Sequence, residues 1–326
     1  MRKAAFAAVA AFVLAGTLAP DSRAQVFAYV TNQGAGTVSV IDTSTDTLVT
    51  TIPGFAIPIG ITVAPGESEA YVTNRATGTV SVVDLLGNTI VATIPVGSFP
   101  EVVAFTPDGN TAIVSNMVSG TVSFIDTATR SVFDTLGGFS LPVGIAVTED
   151  GSRAYVANQG SGVVSVLDVP TRTVVGSVFL GGRPLLAAMG PGSQEVYVTN
   201  DCGGAFGCVF VVDTATNLSL GFVPVGVRPQ GIALGGLAIS PSTGLGYASG
   251  TFSHDVTVFD LATRSVVARV PVGLQPHGIA LTPDGTKVYV ANLHSDTLSV
   301  LDTATLSVDT LPGGGGADER GRGVRR

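Results

Sequence analysis

Hydrophobic and polar residues alternate along short stretches of the chain, and each stretch ends in Gly, Pro, Asp or Asn. Thr37–Asp42 is typical, because small and large side chains alternate in Thr-Val-Ser-Val-Ile-Asp. A period of two predicts β-strands. Turn sequences such as Thr282–Gly285 separate these stretches, with a proline that presets φ and a glycine that accepts left-handed backbone. The pattern predicts an all-β chain of short antiparallel strands.

A tetrapeptide close to Tyr-Val-Thr-Asn recurs along the chain. Its seven copies end at Asn32, Asn74, Asn116, Asn158, Asn200, Gly250 and Asn292. Five of the six steps between these positions are 42 residues and one is 50. Seven units with this period predict a propeller or a solenoid.

Each unit divides into four predicted strands. The inner strand follows a Pro-x-Gly sequence, as in Pro276–Leu281, and the second carries Tyr-Val-x-Asn. The third ends in an aspartate that we interpret as structural, bonding the amides of the turn to the fourth strand. Four antiparallel strands in 42 residues make one blade, and seven blades close a ring without open edges. The sequence predicts a seven-bladed β-propeller over residues 25–312.

One blade departs from this plan. Only six inner strands are found, near Gly60, Val102, Gly144, Leu186, Leu237 and Gly278. After Pro312 the chain continues as four glycines and an Arg-rich end. Blade 1 is therefore predicted to lack its inner strand, and residues 313–326 to form a disordered tail.

The repeat resembles the YVTN-type β-propeller proteins, on Tyr-Val-Thr-Asn, Pro-x-Gly-Ile-Ala, Pro-Asp-Gly and Val-Ile-Asp-Thr. The resemblance covers residues 25–312. It implies the propeller fold and a home outside the cytoplasm, as in bacterial periplasmic and archaeal surface-layer members. It implies no single activity, because propellers host unrelated functions.

The first 24 residues have the pattern of a secretory leader. Arg2 and Lys3 precede the apolar residues 4–19, and Ser22–Ala24 places small residues where signal peptidase reads. We expect cleavage before Gln25 and a periplasmic or extracellular protein. An uncleaved anchor is the alternative, although the apolar run is shorter than the ~20 residues of a membrane span. No later segment is apolar enough to span a membrane.

Candidate binding residues lie at the predicted channel mouth. The residues after the prolines that open the inner strands meet there, and the polar ones are Glu101, Gln230 and His277. Arg183 and Arg228 precede two of these prolines and could clamp an anion such as a carboxylate. Solvated loop arginines are the alternative interpretation. No nucleophile, base and orienting group can be placed within reach of one another, so no catalytic residue is predicted.

The three histidines, His254, His277 and His294, all belong to blades 6 and 7 and map to one face. Histidine with nearby carboxylates is a ligand set for zinc or copper, but the spacing has no metal-motif geometry. Exposed loop histidines are the alternative. Cys202 and Cys208 flank a lengthened loop and are expected to form a structural disulfide rather than a redox-active pair.

The expected function is a secreted, non-catalytic binding or scaffold protein that holds a protein, peptide or glycan on its loop face, as a monomer and without a cofactor. The alternatives are a metal-dependent enzyme or redox protein at the face of blades 6 and 7, with a divalent metal, and a single-stranded nucleic-acid binder. The net charge of −8, the absence of tryptophan and an aromatic content of 6% argue against nucleic acid.

Overall fold

A computed structural model describes residues 7–15, 25–202, 206–227 and 234–313. Blade 1 contains β1 (Ala7–Ala15), β2 (Gln25–Asn32), β3 (Thr37–Asp42) and β4 (Thr47–Pro53), and blade 2 contains β5 (Pro58–Val63), β6 (Glu69–Asn74), β7 (Thr79–Asp84) and β8 (Thr89–Pro95). Blade 3 contains β9 (Pro100–Phe105), β10 (Thr111–Asn116), β11 (Thr121–Asp126) and β12 (Ser131–Gly137). Blade 4 contains β13 (Pro142–Val147), β14 (Arg153–Asn158), β15 (Val163–Asp168) and β16 (Thr173–Phe179). Blade 5 contains β17 (Pro184–Met189), β18 (Glu195–Asn200), β19 (Phe206–Asp213) and β20 (Leu218–Val227). Blade 6 contains β21 (Leu234–Ser240), β22 (Leu245–Gly250), β23 (Asp255–Asp260) and β24 (Val266–Pro271). Blade 7 contains β25 (Pro276–Leu281), β26 (Lys287–Asn292), β27 (Thr297–Asp302) and β28 (Val308–Pro312).

The strands form seven sheets, and each sheet contains four consecutive antiparallel strands. The first strand of every sheet contacts the first strands of both neighbouring sheets, and β25 contacts β1. The ring is therefore closed, and the predicted seven-bladed propeller is confirmed. Apart from a 3-10 turn at Pro191–Ser193, the described residues form strands, turns and connecting loops. None of their helices is long and apolar enough to cross a membrane.

Blade 1 receives only β2, β3 and β4 from the repeat region, as predicted. Its inner place is occupied by β1, from the apolar N-terminal segment. The pairing runs from Ala7 opposite Asn32 to Ala15 opposite Gln25. The predicted tail from residue 314 onward lies outside the described residues, and the predicted cleavage before Gln25 stays a prediction.

The core consists of seven hydrophobic clusters, one between each pair of neighbouring blades. Between blades 2 and 3, Val80 and Val82 pack with Ala112 and Val114, all fully buried. Burial of one such valine contributes about 1.5 kcal/mol or more. The alternating pattern of each third strand thus supplies side chains to its two neighbours.

The threonine or serine of the repeat joins neighbouring blades. Thr73 Oγ1 donates to the carbonyl of Glu101 in the next blade (2.9 Å) and accepts the Gly60 amide (2.8 Å). The glycine is required because a Cβ at Gly60 would lie 2.3 Å from the Glu101 carbonyl oxygen. Inner strands therefore approach one another closely around the axis.

The repeat asparagine fastens the loop that leads into the inner strand. Asn116 donates to the hydroxyls of Thr121 (3.1 Å) and Ser123 (2.9 Å), and its Oδ1 accepts the Gly97 amide (3.1 Å). The aspartate at the end of the third strand is structural, as predicted. Asp126 accepts the Thr129 amide at 2.7 Å, and this hydrogen bond lowers the pKa of Asp126.

Contacts between the ends of the chain close the ring on the opposite face. Lys287 Nζ donates to the carbonyl of Thr43 (2.8 Å) and to Asp46 Oδ2 (2.6 Å). The Tyr289 hydroxyl donates to Asp46 Oδ1. Arg264 makes the same type of contact with Glu195 at 2.7 Å, between blades 6 and 5. The seam between blades 7 and 1 is therefore held by the same type of contact as the seam between blades 5 and 6.

Candidate functional site

The second residue of each inner strand contributes to a ring around the channel mouth on the loop face. The described members of this channel-mouth ring are Ile59, Glu101, Val143, Leu185 and His277. The first four are between 5% and 9% exposed, so the mouth is narrow and mostly apolar.

Two predicted binding residues, Arg228 and Gln230, lie outside the described residues. The inner strand of blade 6 begins after them, because Leu234 pairs with Gly250 just as Pro184 pairs with Asn200. By this register, Gly235 takes the position that the sequence assigned to Gln230. The longer connection into blade 6 shifts the repeat, which the Pro-x-Gly sequence alone does not reveal.

Glu101 forms a buried ion pair at the mouth. Arg75 Nε lies 3.0 Å from Glu101 Oε1, and its terminal nitrogen binds the same oxygen. Burial raises the pKa of Glu101, while the charge of Arg75 opposes that rise. The guanidinium also lies 5.6 Å from the ring centre of Phe99, a cation–π contact. Sequence reasoning missed Arg75, although it directly follows a repeat asparagine and opens a loop on this face.

His277 is the histidine of the ring. Its Nδ1 atom is buried and has no hydrogen-bond partner among the described residues. Burial lowers the pKa of His277, and the charge of Arg75 lowers it further. The imidazole is therefore neutral at neutral pH, the form in which histidine binds metals. A buried ring nitrogen without a partner is costly unless a ligand uses it.

The other two histidines lie on either side of the segment before His277. His254 Nδ1 accepts the Gln275 amide (3.0 Å), and the His294 amide donates to the Leu274 carbonyl (3.1 Å). The His254 ring and the His294 backbone therefore hold the loop that carries His277. Within the described parts of the chain, no three His, Cys, Asp or Glu side chains are placed to hold a metal ion together.

Arg183 lies at the mouth in blade 5 and is half exposed, 3.8 Å from Asp201. Its backbone amide is held by Asn200 Oδ1 (3.0 Å) and Asp201 Oδ1 (2.9 Å). Asp201 was not predicted, although it follows the repeat asparagine as Arg75 does. Below this loop Cys202 and Cys208 form the predicted disulfide.

An apolar crescent borders the mouth on blades 2 to 4. It consists of Ile57, Phe99 and Leu141, each directly before a proline and 40–44% exposed. Their φ angles lie between 50° and 55°, a left-handed conformation that costs energy in non-glycine residues. Hydrogen bonds from the next loop to their carbonyls hold them, such as Met117 N to Phe99 O at 2.9 Å. Three large apolar side chains are thus held exposed beside the mouth.

Fold and site together define a seven-bladed β-propeller with a neutral histidine, two arginines and an apolar crescent at its channel mouth. The model of the family described as the Cytochrome D1 heme domain matches residues 22–187, half of the chain. The chain therefore belongs to this family.

Among solved structures, the chain is similar to Kuenenia stuttgartiensis Hydrazine Synthase. The TM-score is 0.79 at 21% sequence identity, over 94% of this chain and 97% of that chain. This likeness shows the fold alone. No curated protein matches the chain.

These findings correct two expectations. A non-catalytic binding or scaffold protein is wrong, because the family is a heme domain and supports the redox alternative. The expected absence of a cofactor is wrong for the same reason. Sequence reasoning looked for clusters of ligands, whereas a heme iron needs only one side chain from the protein on each axial face. The fold agrees with a YVTN-type propeller, but the family that is matched is the heme domain.

The residues at the mouth fit a heme. His277 offers a neutral imidazole for iron, and the crescent offers an apolar surface for the porphyrin. Arg75 and Arg183, each at least one-third exposed, offer guanidinium groups for porphyrin carboxylates. All of these groups lie on the same face.

Proposed function

We propose that the protein binds heme at the channel mouth and works as a heme-dependent redox protein of the periplasm. The observation that carries the proposal is the buried, unpartnered Nδ1 of His277 at the centre of the loop face. Membership in a heme-domain family supports it. The Cys202–Cys208 disulfide supports a location in an oxidising compartment.

Each residue of the site has a distinct role in the proposal. His277 would hold the iron, and its lowered pKa keeps the imidazole neutral at neutral pH. Arg75 and Arg183 would bind the carboxylates of the porphyrin. Ile59, Val143 and Leu185 would keep water out of the mouth, because all three are buried. Ile57, Phe99 and Leu141 would offer it an apolar surface.

A bound heme would supply one-electron redox chemistry. The protein's contribution is to orient the ring and to set the polarity around it. The ion pair with the buried Glu101 holds the Arg75 guanidinium in place at the mouth.

Reconstitution tests the proposal. Purified full-length protein is titrated with heme of the d1 type, and with hemin in parallel, while the Soret band is recorded. We expect one heme per chain. The His277→Gly variant is expected to lose the histidine-ligated spectrum and to regain it when free imidazole is added, because imidazole fills the vacated position.

His294→Ala is the matched control, since only its backbone is seen to contact the loop before His277. This variant is expected to bind heme as the parent does. His254 is unsuitable as a control because its ring holds the Gln275 amide. Absence of stoichiometric binding by the parent, or an unchanged spectrum in His277→Gly, would overturn the proposal.

A further inference from the structure

The inner place of blade 1 is the one position in the ring that the repeat region leaves open. In blades 2 to 7 the second strand pairs with an inner strand from the same repeat array. In blade 1 the inner edge of β2 pairs only with β1, from residues 7–15. An unpaired strand edge inside a ring is an energetic liability and a template for another strand.

β1 takes this place in the register of a true inner strand. In blade 2, Pro58 lies opposite Asn74 and Ile61 opposite Val72, with one extra residue on the inner strand between them. In blade 1, Ala7 lies opposite Asn32 and Ala10 opposite Val30, again with one extra residue. The direction, the register and the bulge agree. The N-terminal segment therefore completes the backbone pairing of the blade.

We propose that the inner place of blade 1 is an acceptor site for an extended apolar strand, which residues 7–15 occupy in the full-length chain. Removal of the leader opens the site, because nothing else in the described repeat region pairs with the inner edge of β2. This proposal does not rest on the proposed heme site.

Hydrogen exchange tests this site. Full-length protein made without export, with its N-terminus verified by mass, is compared with a chain that starts at Gln25. The amides of β2 should exchange about tenfold or more faster in the shorter chain, because the edge is open. A peptide of residues 5–17 should restore their protection, whereas the same peptide with Phe12→Pro should not, since proline cannot donate to the ladder. Equal exchange in the two chains, or no effect of the peptide, overturns the proposal.

Engineered cysteines test the register in the full-length chain, including the case in which the shorter chain fails to fold. Phe12 lies opposite Ala28, whereas Val13 lies opposite Phe27. Phe12→Cys with Ala28→Cys should form a disulfide on mild oxidation. Val13→Cys with Ala28→Cys should not, because neighbouring residues on a strand point to opposite faces. No cross-link in the first pair, or equal cross-linking in both, overturns the proposal.

Discussion

Blades 2 to 5 and blades 6, 7 and 1 are built from the same repeat, but they use it differently. In blades 2 to 5 every repeat asparagine is present and accepts an amide through Oδ1. In the other group Gly250 replaces one asparagine, and the Oδ1 atoms of Asn32 and Asn292 have no partner among the described residues. This second group also contains all three histidines and the N-terminal strand.

Both groups of blades contribute to the proposed site. The complete hydrogen bonds of blades 2 to 5 fix one side of the ring, including the strained crescent of Ile57, Phe99 and Leu141. The departures from the repeat lie in the blades that contain His277 and the inner place filled by β1. The proposed site therefore combines residues held by the regular repeat with one residue from the blades that depart from it.

Alkaline pH should cause the largest loss of stability, and it should destabilise both groups of blades. Burial raises the pKa of all six tyrosines, to about 12 for Tyr29 and Tyr71. Unfolded tyrosines ionise near pH 10, so the free energy of unfolding should fall as pH rises from 10 towards 12, by up to about 1.4 kcal/mol per pH unit for each tyrosine. Urea unfolding at a series of pH values measures this slope. Tyr289→Phe should reduce it, and a flat profile would contradict the prediction.

Glycine-to-alanine changes at the inner strands come next and should affect both groups equally. A Cβ at Gly144 would lie 2.5 Å from the Leu185 carbonyl oxygen, and one at Gly236 would lie 2.4 Å from the Ile279 amide nitrogen. We expect each change to cost about 3 kcal/mol, because backbone cannot move aside. Gly66→Ala is the control, since nothing lies within 4 Å of its Cβ. The urea unfolding midpoints of the three variants measure these costs. An unchanged midpoint for Gly236→Ala would mean that blade 6 packs less closely against blade 7 than the structure shows.

Removal of the repeat asparagine should separate the two groups. Asn116→Ala leaves the Gly97 amide and two hydroxyls without their partner, and should cost about 2–3 kcal/mol. Asn32→Ala should cost about 1 kcal/mol less, because its Oδ1 has no partner to lose. Thermal and urea unfolding of the two variants provide the comparison. Equal losses would show that the unpartnered Asn32 carbonyl does not distinguish the groups.

The smallest effect is expected from the hydroxyl between blades. Thr73→Val keeps the shape but loses the bonds to Gly60 and Glu101, at a cost of about 1–2 kcal/mol. Blade 4 has Ala157 at the equivalent position, so Ala157→Ser should add such a bond and stabilise by about 0.5 kcal/mol. Chemical denaturation with a common m-value resolves both changes. Destabilisation by Ala157→Ser would mean that the space at that position is already filled.

The fold was predictable because its determinants are local and repeated. Part of each blade is specified by the 42-residue period, by the alternating third strand and by the turn sequences. The same prediction is obtained from each of the seven repeats. The sequence also predicted that the repeat region leaves blade 1 one strand short. It did not predict β1, because an apolar segment behind a basic start has the same composition as a secretory leader.

The site was predictable only in part. The period placed Glu101 and His277 at the mouth, and the disulfide followed from the paired cysteines. Arg75 was missed, because its role depends on reaching an acid in the next blade, and the Pro-x-Gly sequence misplaced the ring position of blade 6 across an insertion. The heme that the family implies was missed because a single histidine carries no spacing that a sequence can display.

The contact of Lys287 with Asp46 joins residues 241 positions apart. During synthesis, Asp46 has no partner until the ribosome has made nearly the whole repeat array, because Lys287 belongs to the last blade. For most of its synthesis the chain is therefore an open ring in which the surface of blade 1 that will face blade 7 is exposed. Association of this surface with another chain is favoured during that time. Once the last blade arrives, opening the circle at this junction requires its contacts to break together, so release should be slow compared with fraying at a free terminus.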